Sequence, residues 1–553
     1  MAYAEPAKNK ARQQLLQNAV SILTKDRRSA PLARRSYVRE VRDFLRAKES
    51  HGDGVLAKLL TDDTIDRWES FFDSILQTRK PAQLKVAYLS GPNPENDLHV
   101  LCDAGVLPEN IWAFESDAKT YTDAVQSALA SKFPFIKLVQ GGIDGFLAVS
   151  PQRFDVIYLD FCGPMPNRDK KQKTLFTVTR LLSHHSLSSP GVLITNAALP
   201  TRDQDETGRS LISRLVAAYL YPKAFLEDNK DSGIPDGAQT NGFDFDEWLV
   251  EVDENLDDYY GQYLTRLMMD HVGVVSTASR VTLGQGVFTR LFNAPDGILN
   301  EALDRFFHFN QSLLATDDDE LSADLDAEVK CEQLGGDVIT ESREYPLLWT
   351  LAALDTKVGA GDTNYPNLSS DPEFKKFTEA FLSQLSVSQE RTAFVRNLSA
   401  VIYLLSEGTG SENFHSVSLQ ELAAKHRFAD FYQFCDLFLF HQLKELLLRQ
   451  WTVPYHVNVV ETKRWKYKAK DTLMFMDMLV LDECRYVYDW MPTVDMLLSG
   501  VRDDQRQLSF RFALDGVSKH GRWYSPEYFC GTAVIDQDTE PFAAKKLSPR
   551  VLL

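Results

Sequence analysis

The chain has few cysteines, and their spacing disfavours two common kinds of site. Six cysteines occur among 553 residues, and no two of them form a CxxC pair. They are Cys102, Cys162, Cys331, Cys435, Cys484 and Cys530. This pattern favours free thiols in a reducing compartment over a disulfide framework or a zinc site. We therefore expect a cytoplasmic protein without a bound metal.

Long apolar runs are also missing from the sequence. No run reaches about 18 apolar residues, the length from which a transmembrane helix is expected. The first residues, MAYAEPAKNKARQQLLQ, are polar and mixed and contain no apolar segment of the kind found in secretory signals. We expect no membrane partner.

Positive charge is scarce overall but concentrated at one end. The net charge is −18, yet residues 1–48 contain twelve Lys and Arg against four acidic residues, so this arm carries +8 and the remainder −26. A basic arm of this kind could bind a polyanion such as nucleic acid. It could also form a helix, RRSYVREVRDFLRAK, that docks on the acidic body of its own chain.

The periodicity of apolar residues changes along the first 200 residues. In residues 1–80, RQQLLQNAVSILTK, SYVREVRDFLRAK and TIDRWESFFDSILQ place apolar residues at i, i+3 and i+4, which predicts helices. From residue 84, short apolar runs such as LKVAYL, FDVIYL and GVLITNAAL alternate with helical segments. This alternation predicts an α/β fold with a doubly wound, mostly parallel sheet that helices cover on both faces.

Composition divides the chain into four predicted regions. They are an N-terminal helical basic segment (1–80), an α/β domain (81–312), an acidic linker (313–330) and a C-terminal, mainly helical (α+β) domain (331–553). Residues 225–260, rich in Gly, Asp and Asn, are predicted to be an acidic surface insertion in the α/β domain. SRVTLGQGVFTRLFN is predicted to supply a closing strand hairpin, and QLSFRFALDG a strand near the C-terminus.

Polar or turn-forming residues stand where three of the predicted strands end. The first strand, KVAYL, runs into SGPNPEND, the second ends at Glu115, and the fourth ends at Asp160. In a doubly wound sheet, ligands bind outside the carboxyl ends of the strands, near the switch in strand order. A carboxylate at the tip of the second strand can accept both hydroxyl hydrogens of a ribose. Glu115 therefore predicts a nucleoside ligand.

Residues 84 to about 200 resemble the class I S-adenosylmethionine-dependent methyltransferases, a Rossmann-like family. Five elements occur in the family's order: VAYLSGPNPEND at the glycine loop, IWAFESDAKTYTDAV at the second strand and its helix, FIKLVQGGIDGFL at the adenine-contacting turn, FDVIYLDFCGPM at the motif over the methyl donor, and SPGVLITNAALP at the fifth strand. The resemblance implies a Rossmann-like sheet, S-adenosylmethionine as the cofactor, and methyl transfer.

For the methionine and ribose parts of the donor, the resemblance implies three contacts. Ser90 and Gly91 would bring backbone close to the methionine part, because glycine permits close approach and positive φ. Glu115 would hold the ribose diol. Asp117 fits better as an acid at the N-terminus of the following helix than as a ligand contact.

For the adenine and the reacting methyl group, the resemblance implies five more contacts. Gly142 and Ile143 would flank the adenine, with Asp144 as a candidate partner for its amino group. Asp160 and the backbone of Phe161 would line the methyl-transfer site. Methyl transfer depends mainly on proximity and orientation, so a base is needed only if the acceptor loses a proton. Asp160 is the candidate for that role.

Two motifs depart from the family. SGPNPEND has one glycine where the family has two or three, and DFCG matches neither the Asn/Asp-Pro-Pro-aromatic nor the Pro-Cys signature of base methylation. Cys162 stands near the place of a nucleophilic thiol, but a small packing residue is the other interpretation.

KRWKYKAK, Lys463 to Lys470, interleaves cations with aromatic rings. Its cations could contact phosphates, and its rings could stack on unpaired bases. The alternative is a basic face on an acidic protein. The residues predicted to bind nucleic acid are Lys463, Arg464, Trp465 and Tyr467.

These observations predict an S-adenosylmethionine-dependent methyltransferase that acts on a macromolecular acceptor, nucleic acid in preference to protein. The alternative is a catalytically inactive methyltransferase-like module that binds a nucleoside ligand or a protein partner. An NAD-dependent oxidoreductase is disfavoured, because no GxGxxG follows the first strand.

Overall fold

The structure is a computed structural model, and the chain divides into two compact units. One unit combines Met1–Asp205 with Val453–Leu553, and the other is Glu206–Thr452. The residues that the structure describes are 6–48, 53–167, 173–220, 245–283, 371–385, 417, 452–490, 504–520, 534–536 and 539–553.

A mixed sheet forms the centre of the first unit and establishes an α/β fold. In the described chain its strands are β1 (Val86–Leu89), β2 (Ile111–Glu115), β3 (Lys137–Gln140), β4 (Phe154–Asp160), β5 (Leu187–Leu199), β6 (His456–Val457), β7 (Lys463–Ala469), β8 (Thr472–Asp482) and β9 (Val551–Leu552). They lie in the order β3-β2-β1-β4-β5-β8-β7-β9, and β6 pairs with β8. Strands β1 to β5 are parallel, as their apolar sequences predict.

Helices connect the parallel strands and account for their apolar sequences. They are α5 (Glu95–Asp103), α6 (Ala118–Ala130), α7 (Ile143–Val149) and α8 (Thr174–Ser183). In β4, every residue from Phe154 to Leu159 is buried, and only Asp160, at the carboxyl end, is partly exposed. Parallel strands buried on both faces need no polar side, so their sequences are continuous apolar runs. The one polar residue at the tip of β4 therefore marks the edge where a ligand could bind.

The sheet is completed by the end of the chain. β8 runs antiparallel to β5, with Gly191 opposite Leu481 and Leu199 opposite Leu473, and β7 forms a hairpin with β8. The prediction of a separate domain over residues 331–553 is therefore wrong for these strands. The predicted closing hairpin also differs, because Ser276–Leu283 is a helix, α12; residues 284–293 lie outside the described residues.

The N-terminal region is helical, as predicted. Its helices are α1 (Pro6–Leu23), α2 (Tyr37–Lys48), α3 (Asp53–Leu59) and α4 (Asp62–Ile75). α1 buries Leu15, Leu16 and Ala19 in the same core cluster as Tyr88 of β1 and Tyr467 of β7. The arm is thus part of the first unit's core.

Many cations of the basic arm are used within the chain. Within the described residues 6–48, ion pairs form at Lys8, Arg12, Arg34, Arg35, Arg39 and Arg42. Arg39, for example, contacts Asp66 and Glu69 of α4. These pairs favour docking on the acidic body of the chain over a polyanion partner, which was the other interpretation of the arm.

The second unit is helical wherever the structure describes it. Its helices are α9 (Arg202–Leu220), which begins in the first unit, α10 (Phe245–Glu254), α11 (Leu256–Asp270), a π-helical turn (His271–Val275), α12, and α13 (Pro372–Gln384). The predicted surface insertion differs over 245–260, because α11 begins there and buries Tyr259 and Tyr260. Residues 221–244 and the predicted linker 313–330 lie outside the described residues. None of the helices described is long and apolar enough to span a bilayer.

The segment QLSFRFALDG, predicted to be a strand, is helical. It lies in α15 (Asp504–Ser518), which follows the short α14 (Arg485–Tyr488). Leu508, Phe510 and Phe512 alternate with polar residues, which suggests a strand. However, Ser509 and Arg511 are buried as well, so the alternation does not separate a core face from a solvent face. Tertiary packing therefore overrides the local pattern.

His520, just beyond α15, is buried in the neutral form. Burial and the nearby Lys545 ammonium disfavour the imidazolium, and together they lower the pKa of His520 to about 3 despite a hydrogen bond with the backbone of Leu32. The unfolded chain, in contrast, accepts a proton near the ordinary value of 6.5. The stability that depends on neutral His520 is therefore complete above pH 6.5 and is lost as the pH falls towards 3.

This asymmetry predicts a pH dependence of stability. Between pH 7.5 and 5.5, the free energy of unfolding should fall by about 1 kcal/mol more in the unchanged protein than in His520→Gln. Urea denaturation at the two pH values measures this difference. If both proteins lose the same stability, His520 is not held neutral in the fold.

Candidate functional site

A pocket of about 590 Å³ lies at the carboxyl ends of the parallel strands. The turns that follow β1, β2, β3 and β4 line it, and β1 lies between β2 and β4. The strand order reverses direction at β1, which is where doubly wound sheets bind ligands. The pocket wall includes all of the residues predicted to bind the cofactor or act in catalysis: Ser90, Gly91, Glu115, Gly142, Ile143, Asp144, Asp160 and Phe161.

The turn after β1 leaves open space beside its backbone. Gly91 has φ +59°, and a Cβ at this position would meet no atom of the described residues within 4 Å. The turn is held at both ends, because the Ser90 amide donates to the Phe114 carbonyl at 3.0 Å and the Tyr88 hydroxyl donates to the Pro94 carbonyl at 2.6 Å. A ligand could therefore approach the Gly91 backbone closely without displacing a side chain.

The conformation of Gly91 gives a testable contrast with Gly145 in α7. Gly91→Ala should destabilise the fold by about 1–2 kcal/mol, the cost of a left-handed conformation for an L-residue. Gly145 also has open space around its Cβ position and no positive φ, so Gly145→Ala should stabilise the fold by about 0.5–1 kcal/mol. Urea denaturation of both variants is the measurement. Changes of the same sign would contradict the assignment of Gly91 to the left-handed region.

Glu115 presents one carboxylate oxygen that is bound by a backbone amide and one that no described residue contacts by a hydrogen bond. Its Oε1 accepts a hydrogen bond from the Asp117 amide at 2.8 Å, whereas Oε2 accepts none from any residue that the structure describes. Asp117 is itself the N-cap of α6 and accepts from the Thr120 amide at 2.8 Å, as predicted for a helix-terminal acid. The half-buried Glu115 side chain is thus oriented at one oxygen and available at the other.

The turn after β3 joins the turn after β2. The Gly141 amide donates to the Glu115 carbonyl at 2.8 Å, which ties the two turns together. Ile143 is buried, whereas Asp144 lies in the first turn of α7 with its carboxylate folded back over Gly142. The Arg180 guanidinium lies 3.8 Å from Asp144, so this carboxylate has a cationic neighbour.

Asp160 at the tip of β4 is engaged at both oxygens. Lys8 Nζ lies 2.9 Å from Oδ2, and the Asn196 side-chain amide donates to Oδ1 at 2.6 Å. Burial alone would lower the pKa of Lys8, but attraction to the Asp160 carboxylate outweighs it and raises the pKa, so Lys8 stays an ammonium. Asp160 is therefore part of a charged pair on the pocket wall, and a role as a base would require this pair to open.

Residues of α1 line the pocket and were missed by the sequence analysis. Besides Lys8, they are Asn9 and Arg12, and Arg12 contacts the buried Asp97 of α5 at 2.7 Å. Burial raises the pKa of Asp97 to about 6, although Arg12 opposes the shift. Lys8 and Arg12 are four residues apart, so they share one helix face. This spacing was the available signal, but no pattern indicated which acids would face that side of α1.

Cys162 also stands on the pocket wall, and its thiol is poorly suited to nucleophilic attack. The residue as a whole is exposed, yet surrounding protein atoms desolvate the thiol. Desolvation and the Asp160 carboxylate raise the pKa of Cys162, which lowers the fraction of reactive thiolate. The structure therefore favours Cys162 as a small packing residue over Cys162 as a nucleophile.

The residues predicted to bind nucleic acid lie in β7 and are mostly buried. Trp465 and Tyr467 belong to the core cluster, with 6% and 0% of their surfaces exposed. Arg464 is also buried and donates to the Ser548 carbonyl at 2.7 Å, and Lys463 is half-buried. Base stacking requires an exposed ring face. The prediction that Trp465 and Tyr467 stack on bases therefore does not fit the structure.

Comparison with known proteins does not assign a function. No family model, curated protein or solved structure matches the chain. The function is therefore inferred from the geometry of the pocket.

Proposed function

We propose that the chain is an S-adenosylmethionine-dependent methyltransferase whose Rossmann-like domain holds the cofactor in this pocket. One observation carries the proposal: eight residues, selected from the sequence for this role, line one pocket at the switch in strand order. The order β3-β2-β1-β4-β5 supports a Rossmann-like sheet. A volume of about 590 Å³ is in the range of small-molecule sites.

The residues present fit a nucleoside cofactor. The Glu115 oxygen that accepts no hydrogen bond from the described residues can accept one from a ribose hydroxyl, and the open space beside Gly91 permits close approach of the ligand to the backbone. When bound, S-adenosylmethionine would supply an already activated methyl group. The residues of this chain would then orient the ligand and exclude water, which is most of what methyl transfer requires of a protein.

A second function, a binding module without methyl transfer, is favoured by the contacts of Asp160. The carboxylate proposed as the base is engaged by Lys8 and Asn196, and the loop after β1 has a single glycine. Such a module would bind a nucleoside ligand or a protein partner and leave it unchanged.

The contacts of the basic arm and of β7 do not favour nucleic acid over protein as the acceptor. A nucleic-acid acceptor was predicted from the basic arm and from KRWKYKAK, but much of the arm is ion-paired and the aromatic rings of β7 are buried. We retain a macromolecular acceptor and treat nucleic acid and protein as alternatives.

Two experiments test the proposal. Titration calorimetry with S-adenosylmethionine, S-adenosylhomocysteine and NAD should show binding of the first two and not of NAD. Transfer of a tritiated methyl group into RNA, DNA or protein fractions would then establish the enzyme, whereas binding without transfer would support the module. If neither adenosyl ligand binds, the methyltransferase and the nucleoside-binding module are both wrong, and only a module that binds a protein partner is left.

A further inference from the structure

The pair Lys8–Asp160 forms part of the pocket wall and is the more exposed of the two ion pairs that the structure describes with both members on that wall, the other being Arg12–Asp97. The two side chains are 25% and 11% exposed, so each is largely desolvated yet still reaches the pocket. Buried ion pairs contribute little net stability, because removing two charges from water costs about as much as their attraction returns. Stability alone therefore gives a poor reason for this pair.

The pair is also held firmly in place. Asn196, which is fully buried in β5, donates its amide to Asp160 Oδ1 and also to the Tyr467 hydroxyl at 2.9 Å. Lys8 projects from α1, whose apolar side is packed in the core of the first unit. Both charges are thus fixed before any ligand arrives, which lowers the entropy cost of binding.

The charge balance of the pocket argues against a strongly anionic ligand. Its wall carries three cationic and four anionic side chains: Lys8, Arg12 and Lys173, and Asp97, Glu115, Asp144 and Asp160. Arg12 and Lys8 are each committed to a carboxylate. A pyrophosphate would meet little uncompensated positive charge, whereas a ligand with one positive and one negative group matches the ion pair.

The distance between the strand ends suits a ligand with two recognition groups. Glu115 ends β2 and Asp160 ends β4, and a single strand, β1, separates them. Neighbouring strands lie about 5 Å apart, so the two carboxylates belong to strands about 10 Å apart. A nucleoside whose ribose is held at Glu115 needs an extension from its 5′ carbon to reach Asp160.

We propose that Lys8 and Asp160 form a subsite for the amino-acid end of the ligand, in which Lys8 Nζ binds the α-carboxylate and the Asp160 carboxylate binds the α-ammonium. This inference rests on the proposed function, because it assumes that a nucleoside is bound at Glu115. It makes Lys8, from the N-terminal helix, the residue that distinguishes nucleosides with an amino-acid tail from those without one.

The test compares two ligands that differ only in that tail. S-adenosylhomocysteine carries the amino acid, and 5′-methylthioadenosine has the same nucleoside and sulfur without it. By calorimetry, the unchanged protein should bind S-adenosylhomocysteine at least about tenfold more tightly. Lys8→Met should weaken binding of S-adenosylhomocysteine about 10- to 100-fold and leave 5′-methylthioadenosine within about threefold.

Two further variants serve as controls. Lys10→Met removes an exposed lysine of the same helix and should change neither affinity. Lys8→Arg keeps the positive charge and should retain more of the tail-dependent affinity than Lys8→Met. The comparison in the unchanged protein needs no variant, so equal binding of the two ligands would overturn the subsite even if Lys8→Met does not fold.

The outcomes separate this inference from the proposed function. Equal binding of both ligands by the unchanged protein, or an equal loss for both in Lys8→Met, would overturn the subsite and leave the nucleoside pocket in place. Binding of neither ligand would overturn the proposed function, and the subsite with it. A loss confined to S-adenosylhomocysteine supports both.

Discussion

Glu115→Ala is expected to weaken binding of S-adenosylmethionine about 30- to 1,000-fold. The estimate corresponds to about 2–4 kcal/mol, the loss of two hydrogen bonds to a charged acceptor. The Glu115 carboxylate is oriented by the Asp117 amide, and its second oxygen accepts no hydrogen bond from the part of the chain that the structure describes, so it is prepared for a ligand donor. Calorimetry measures the loss, with circular dichroism to show that the fold is retained.

Two variants make this result specific to the carboxylate at the strand tip. Glu115→Gln keeps the size and one acceptor oxygen, so it should lose less affinity than Glu115→Ala. Glu109→Ala removes an exposed acid just before β2 and should bind as the unchanged protein does. A Glu115→Ala protein that binds S-adenosylmethionine with undiminished affinity would end the assignment of the ribose to this residue.

The parallel half of the fold was predictable because its signals are local. Each strand from β1 to β5 is an apolar run bounded by turn residues, and the helices between the strands show their own period. The residues at the strand ends follow from the same reasoning, since the carboxyl ends of parallel strands meet at one edge of the sheet. Ser90, Glu115 and Asp160 were found in this way and line one pocket.

The α1 side of the pocket and the antiparallel part of the sheet depend on contacts between residues that are far apart in the sequence. Lys8 meets Asp160 across about 150 residues, and Leu193 of β5 pairs with Leu479 of β8 across nearly twice that separation. Local patterns carry no information on such pairings. The sequence indicates that α1 is a helix with a basic face, but it does not indicate which carboxylates lie opposite that face.

The error at β7 has a different physical cause. In KRWKYKA, cations and aromatic rings alternate with the period of a strand, and Trp465 and Tyr467 both occupy the side that faces the core. An alternating strand with an apolar side and a charged side is an ordinary pattern. A stacking surface requires the cations and the rings to lie on one face of the strand. In β7, however, Lys466 points to the face opposite that of Trp465 and Tyr467, because successive side chains of a strand alternate.

A chain that ends at residue 312, the predicted end of the α/β domain, is expected not to fold cooperatively. It lacks β7 and β8, which contribute six large side chains to the core cluster: Trp465, Tyr467, Met474, Met476, Met478 and Val480. At about 1.5–3 kcal/mol for each buried side chain, their removal would cost about 9–18 kcal/mol. A domain's whole stability is about 5–15 kcal/mol. Thermal unfolding followed by circular dichroism should show no cooperative transition.

Two control changes show whether the lost transition results from the absence of β8 or only from a shorter chain. Removal of residues 551–553 deletes β9, whose Val551 and Leu552 are exposed, and the partly buried Leu553 at the edge of the core cluster, and should leave the transition in place. Leu479→Ala in the full chain leaves its length unchanged and empties a fully buried position of β8 opposite Leu193, so it should destabilise the fold by about 2–5 kcal/mol. A sharp transition in the chain that ends at residue 312 would mean that the parallel strands fold without the C-terminal hairpin.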